Sequence, residues 1–231
     1  MKRNQEKISF ILSNKNRCIS FEKIFSYGLF ILVLLSLFIF VGCSPTTPPN
    51  NGNGNGWGDI PSEYTIEGIP NLKETALSTH FSVAAAMAFN SLGVDVDWFE
   101  LAPIIQQGSY QDIDALVEYA KNEGFNSGSY NIDLGDTLNL ISREVRMVAQ
   151  TTYTPESQGI LTRIPFGYNI KEEEIYLKDP GLGGDITILF DDFPGYSNNY
   201  DVLNNWTAVL IYDKNISIDD LNLIPFSYPS Y

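Results

Sequence analysis

The chain has 231 residues, 44% hydrophobic and 13% aromatic, a composition that builds one packed core and excludes a disordered polypeptide. Charge is unevenly divided: residues 1–43 hold six Lys/Arg against two Asp/Glu, and the remainder eight against 26, a net −18 that makes nucleic acid an unexpected partner. Cysteine occurs only at positions 18 and 43, so the globular part has neither a disulfide nor a thiol nucleophile to offer. The acidity reads as a solvated surface; an acidic face for cations or basic peptides would require clustering that the sequence does not display.

The N-terminal stretch is polar and basic, carrying Lys2, Arg3, Lys7, Lys15, Arg17 and Lys23, and leads into an apolar run over residues 28–41. That layout predicts a secretory signal, and the run is short for a spanning helix; an uncleaved anchor would have to recruit Ile24 and Phe25 as well. The run closes in Phe40-Val41-Gly42-Cys43. This tetrapeptide resembles a bacterial lipobox, with Phe in place of the usual Leu. The resemblance implies removal of residues 1–42, lipidation of Cys43 as the mature N-terminus, and an extracytoplasmic protein tied to a bacterial membrane. Each buried methylene of an acyl chain contributes about 0.8 kcal/mol, so two or three chains hold a protein on a bilayer almost permanently. Residues 44–58 are Pro-, Asn- and Gly-rich and cannot bury a core; with Cys43 they form a tether, extended at the prolines and flexible at the Asn-Gly repeats. The globular domain is expected over residues 59–231.

Within it, residues 59–70 read as irregular or weakly extended, with Ile60, Tyr64 and Ile66 available for packing. An alanine-rich helix begins near Ser78 or Thr79, either of which can cap it, turns Val83, Met87 and Leu92 toward the core, and ends at Gly93. Asp97 and Glu100, at capping-box spacing, start a second helix toward Gln107. Ser109 and Asp112 start a third, whose Ile113, Leu116, Val117 and Ala120 share one face and which Gly124 closes. A fourth runs from Gly135 to about Glu144 with Leu138, Ile141 and Val145 inward. Beyond residue 145 the pattern changes to short β-branched and aromatic runs at 147–153, 160–168, 174–178, 186–190 and 206–212. Helices followed by strands predict an α+β domain with an antiparallel sheet.

The segment Glu74 through Gly93 resembles the nucleophile helix of papain-like cysteine peptidases of the bacteriocin-processing type, family thirty-nine of the cysteine peptidases. Aligned on Leu92-Gly93, the family's Gln falls on Glu74, its Cys on His80, and its Gly-Pro on Phe81-Ser82. Phe166-Gly167-Tyr168-Asn169 looks like the turn after the family's His-bearing strand, and Ile175 through Pro180 like the strand whose Asp orients that His. By the same resemblance the catalytic His position falls on Leu161, within one residue, and the orienting carboxylate on Asp179. Phe193, Trp206 and the strand after them resemble the closing elements. The likeness spans residues 66–213 and implies a papain-like fold.

It also implies a site that has lost its chemistry. Papain-like catalysis needs a thiolate at a helix N-terminus, a His to take its proton, and a group that holds the ring. Of these the chain keeps Asp179 alone, with its one histidine, His80, where the nucleophile belongs. The expected function is therefore binding of a peptide or envelope protein without catalysis and without a cofactor. One alternative is an enzyme of altered chemistry using His80 with Glu74 and Asp179, or the same three as metal ligands; a second is a purely structural envelope component. A hydroxyl nucleophile from Ser78, Thr79 or Ser82 is weighed against the same His80. Gly181-Leu182-Gly183-Gly184 reads as a turn and not a phosphate loop, since it follows Asp-Pro and precedes a strand. Asp185, Asp191 and Asp192 lack EF-hand spacing and read as a solvated hairpin. The aromatics between Tyr196 and Trp206 would suit a sugar or peptide contact or pack on the sheet edge.

Overall fold

The computed structural model describes residues 59–75, 79–107, 110–152, 159–196 and 205–228. The chain separates into two units, Met1–Pro48 and Pro49–Tyr231, and all described residues belong to the second. The leader, Cys43, the 44–58 tether and Ser78 lie outside them. Among the described residues no helix is long and apolar enough to cross a membrane.

The elements run β1 (Glu63–Thr65), α1 (His80–Ser91), α2 (Trp98–Ile105), β2 (Gln106–Gln107), β3 (Tyr110–Gln111), α3 (Ile113–Asn122), β4 (Asn126–Ile132), α4 (Leu134–Ser142), β5 (Arg146–Thr152), β6 (Ile160–Asn169), β7 (Glu174–Asp179), β8 (Gly184–Leu189), β9 (Trp206–Tyr212) and β10 (Ile224–Pro225). The eight-stranded sheet has the order β10-β4-β9-β5-β6-β7-β8, with β1 on β6, and every pairing is antiparallel. Val209 of β9 sits between Ser129 of β4 and Val148 of β5, so the last long strand occupies the middle of the sheet. The domain is α+β, as the change of pattern at residue 145 predicts.

Helix α1 is the element the sheet closes over. His80 through Phe89 are all buried, because Ala84, Ala85, Ala86 and Ala88 let β5 and β6 approach while Phe81, Val83, Met87 and Phe89 fill the space between. A helix that is apolar all round is a core helix, and truncating Phe81 or Phe89 to Ala would cost about 3–5 kcal/mol. Leu92 is only half-buried, and Gly93 ends the helix at φ 83°.

Local expectations are met in some places and corrected in others. Thr79 occupies the N-cap position but makes no capping bond through its side chain; instead the Ser82 hydroxyl donates back to the Thr79 carbonyl. Asp97 does cap α2, accepting from the Phe99 amide, but the helix stops at Ile105 because Gln106 and Gln107 pair with Gln111 and Tyr110. Helix α3 starts from Asp112, which accepts from Ala115, and Val117 is half-buried; Ser109 lies outside the described residues. Asp133 and Asp136 form the capping box of α4. Residues 190–196 form a 3-10 helix, so Asp191 and Asp192 do not sit on a hairpin, and Asp185 pairs with Lys178 at 2.8 Å. Trp206 packs inward, stacked on Phe193 at 4.0 Å between centroids, while residues 197–204 lie outside the described set.

Candidate functional site: the N-terminus of helix α1

The chain enters α1 by running across the β7–β8 turn. The Glu74 amide donates to the Pro180 carbonyl at 3.0 Å, and two glycines leave room for the crossing. A Cβ on Gly183 would lie 2.8 Å from the Cβ of Lys73, and one on Gly181 would lie 3.1 Å from Asp179 Oδ1 and 3.4 Å from Glu74 Oε1. The Gly-rich turn is thus shaped by close approach, and it makes the carboxylates of Glu74 and Asp179 neighbours.

His80 occupies the first position of α1 and is 7% exposed. Its Nδ1 lies 3.6 Å from Glu74 Oε2, an ion-pair distance too long for a hydrogen bond. Its Nε2 lies 3.0 Å from Gln111 Nε2. The Gln111 carbonyl oxygen accepts from Gln150 Nε2 at 2.7 Å and, more distantly, from the Thr162 hydroxyl at 3.4 Å. The Gln111 amide therefore presents its NH2 to the ring, His80 Nε2 accepts, and the neutral ring carries its proton on Nδ1 toward Glu74. Glu74 Oε2 is buried without a hydrogen bond. Burial first, and then the negative charge of Asp179, raise the Glu74 carboxyl above its ordinary range.

Asp179 belongs to a different arrangement. Its Oδ2 accepts from Arg163 Nε at 2.8 Å, and its Oδ1 from the amides of Gly181 and Leu182 at 2.8 and 3.2 Å. Arg163, 2% exposed, also donates to the Thr151 hydroxyl at 3.0 Å and the Thr152 carbonyl at 2.7 Å, with Tyr196 against its guanidinium. Leu161 is half-buried on β6 opposite Thr151. Its neighbour Thr162, turned to the other face by the period of the strand, is the residue that reaches Gln111.

The structure thus gathers Glu74, His80 and Asp179 at one corner, but it bonds Asp179 to Arg163 and His80 to Gln111. Ser82 is fully buried and committed to Thr79, so it is not aimed as a nucleophile. Among the described residues no three His, Cys, Asp or Glu side chains stand together as a metal site. Sequence reasoning missed Gln111, Gln150 and Arg163, while Thr162 lies within the one-residue margin around Leu161. A lone cation in the apolar run 160–168 is a signal for a buried ion pair; the two glutamines carry none.

No protein-family model and no curated protein matches the sequence. Solved structures similar in chain path include two peptidase domains. One is a double-glycine-motif protease from an AMS/PCAT transporter, in complex with its leader peptide, at 11% identity, covering 64% of this chain and 94% of that one, with a TM-score of 0.46. The other is the peptidase domain of Streptococcus ComA, a bifunctional ABC transporter of a quorum-sensing pathway, at 12% identity, covering 62% and 97%, also with a TM-score of 0.46. At such values the reading of the site rests on its own residues.

Proposed function

We propose that residues 59–231 are a papain-like domain without peptidase chemistry, which binds a peptide or an envelope protein and is held outside the cytoplasm by a lipid on Cys43. The observation that carries the first half is the engagement of Asp179. This carboxylate accepts from Arg163 and two backbone amides where an orienting carboxylate would accept from a histidine, and the histidine at the corner accepts from a glutamine. The order of motifs at 74–93, 160–180 and 193–212 supports the fold assignment, and the lipobox-like Phe40-Val41-Gly42-Cys43 supports the anchor. A second reading, an enzyme of altered chemistry, draws on the placement of Glu74 beside Nδ1 of His80, the side from which a carboxylate polarises a catalytic imidazole.

One experiment separates them. Detergent-purified full-length protein is incubated with a degenerate peptide library and the products are read by mass spectrometry. The binding reading expects no cleavage, and an acylated N-terminal Cys43 in the same preparation. Cleavage that disappears in His80→Ala would establish the altered enzyme, and an intact Met1 terminus would establish an uncleaved anchor.

A further inference from the structure

Helix α2 presents an apolar face that the fold leaves uncovered. Leu101 and Ile105 are buried and Trp98 is half-buried, as its inward stripe requires, yet Phe99 is 67% exposed, Ile104 is 54% exposed, and Pro103 lies between them on the outer side. The Trp98 and Phe99 rings lie 4.3 Å apart, forming an aromatic ledge at the start of the helix. Beside it stand Asp95, Asp97 and Glu100, all exposed, and among the described residues none has an ion-pair partner. Glu100 and Glu123 both lie close enough to the Tyr119 hydroxyl to raise its pKa, burial contributing more, so the acidic rim continues onto α3. No Lys or Arg occurs between Lys73 and Lys121, while seven Asp and Glu do. Of these seven, Asp95, Asp97 and Glu100 flank the ledge, with no cation of the same stretch to offset them.

From this juxtaposition we infer that the outer face of α2 is a docking surface for a cationic amphipathic peptide segment, its large apolar side chains on Phe99, Pro103 and Ile104 and its Lys or Arg side chains on Asp95, Asp97 and Glu100. Charge decides between occupants. A second copy docking by the same face would bring like charges together across the two-fold. An anionic bilayer would be repelled by the same carboxylates. A cationic segment is steered in and then seated by the ledge, so its binding falls as salt rises. The inference is independent of the fate of the His80 corner, because the face lies on the outer side of α2 and uses none of the residues bonded there.

The test titrates full-length protein in a non-ionic detergent with a synthetic Leu/Lys amphipathic helix and with its Leu/Glu counterpart, following tryptophan fluorescence. In a Trp57→Phe background Trp98 reports from the ledge, whereas Trp206 is fully buried. Saturable binding of the Lys peptide is expected, weakened by salt, with none of the Glu peptide. Phe99→Ser with Ile104→Ser should weaken it by about tenfold or more. Asp95→Asn with Glu100→Gln should weaken it and flatten the salt dependence; both pairs alter exposed side chains and should leave the circular dichroism unchanged. Absence of Lys-peptide binding, equal binding of both peptides, or binding indifferent to both double variants would overturn the inference. So would a dimer, or a seat on zwitterionic vesicles, that is lost in Phe99→Ser with Ile104→Ser, since either assigns the face to another occupant.

Discussion

Two buried carboxylates stand side by side at the start of α1, and the chain treats them differently. Asp179 is well bonded: a guanidinium holds one oxygen and two backbone amides hold the other. Glu74 is held by its backbone, while its Oε2 stands 3.6 Å from the imidazole and makes no hydrogen bond. Burial alone therefore does not determine what a carboxylate is for. A fully bonded one fixes structure, and one that is desolvated and poorly bonded is left responsive to protons and to neighbours.

The contrast breaks most severely at Asp179. Asp179→Asn leaves the Arg163 guanidinium buried without its counter-charge and should cost about 3–5 kcal/mol in urea unfolding. The paired change Arg163→Met with Asp179→Leu should recover only the part due to the unpaired charge, since the Thr152 carbonyl and the Gly181 and Leu182 amides still lose their partners. A smaller effect is expected at Gln111→Leu, which removes the donor to His80 Nε2 and the acceptor for Gln150, at about 1–3 kcal/mol. The chain has one histidine, so the imidazole resonances of that variant report unambiguously whether the ring has changed tautomer.

Glu74 sharpens the comparison through pH. Its folded pKa is raised above the unfolded value of 4.5, so its contribution to stability is present in full below pH 4.5 and is lost as pH rises through the folded value. Glu74→Gln should accordingly be more stable than the parent at pH 7, with the difference vanishing near pH 4, as urea midpoints at the two pH values will measure. The smallest effect belongs to a pair at the surface. Half-buried Arg143 grips exposed Asp220 with two hydrogen bonds of 2.6 and 2.7 Å and donates to the Ser217 carbonyl at 3.0 Å. Even so, Arg143→Ala should cost only about 1 kcal/mol or less in melting, because water replaces most of what is lost there.

The sequence exposes the parts of this molecule that follow from local pattern. Val83 and Met87 at helical spacing, Gly93 as a left-handed stop, and the β-branched runs at 160–168 and 206–212 each imply the element that forms. Strand β4 escapes the same reading, since Asn-Ser-Gly-Ser-Tyr-Asn has neither alternation nor β-propensity; it is a strand because β9 and β10 bond to it from either side. The site divides in the same way. The positions of His80 and Glu74 follow from the helix start, but the bonds that decide their chemistry come from Gln111, Gln150 and Arg163, on three different strands. Hydrogen bonds between residues distant in sequence leave no periodicity to read.

The placement of β9 governs how this domain can be made. Strands β4 and β5 follow one another in the chain, joined through α4, but they never pair; β9 inserts between them and brings Thr207 against Asn131 across 76 positions. Until β9 arrives, both strands keep open edges and the sheet has a slot where its centre should be. Such long-range closure makes folding slow and leaves a nascent chain liable to strand-to-strand aggregation. A polypeptide emerging N-terminus first, from a ribosome or through a membrane channel, therefore holds an incomplete sheet through most of its passage and folds in one late step.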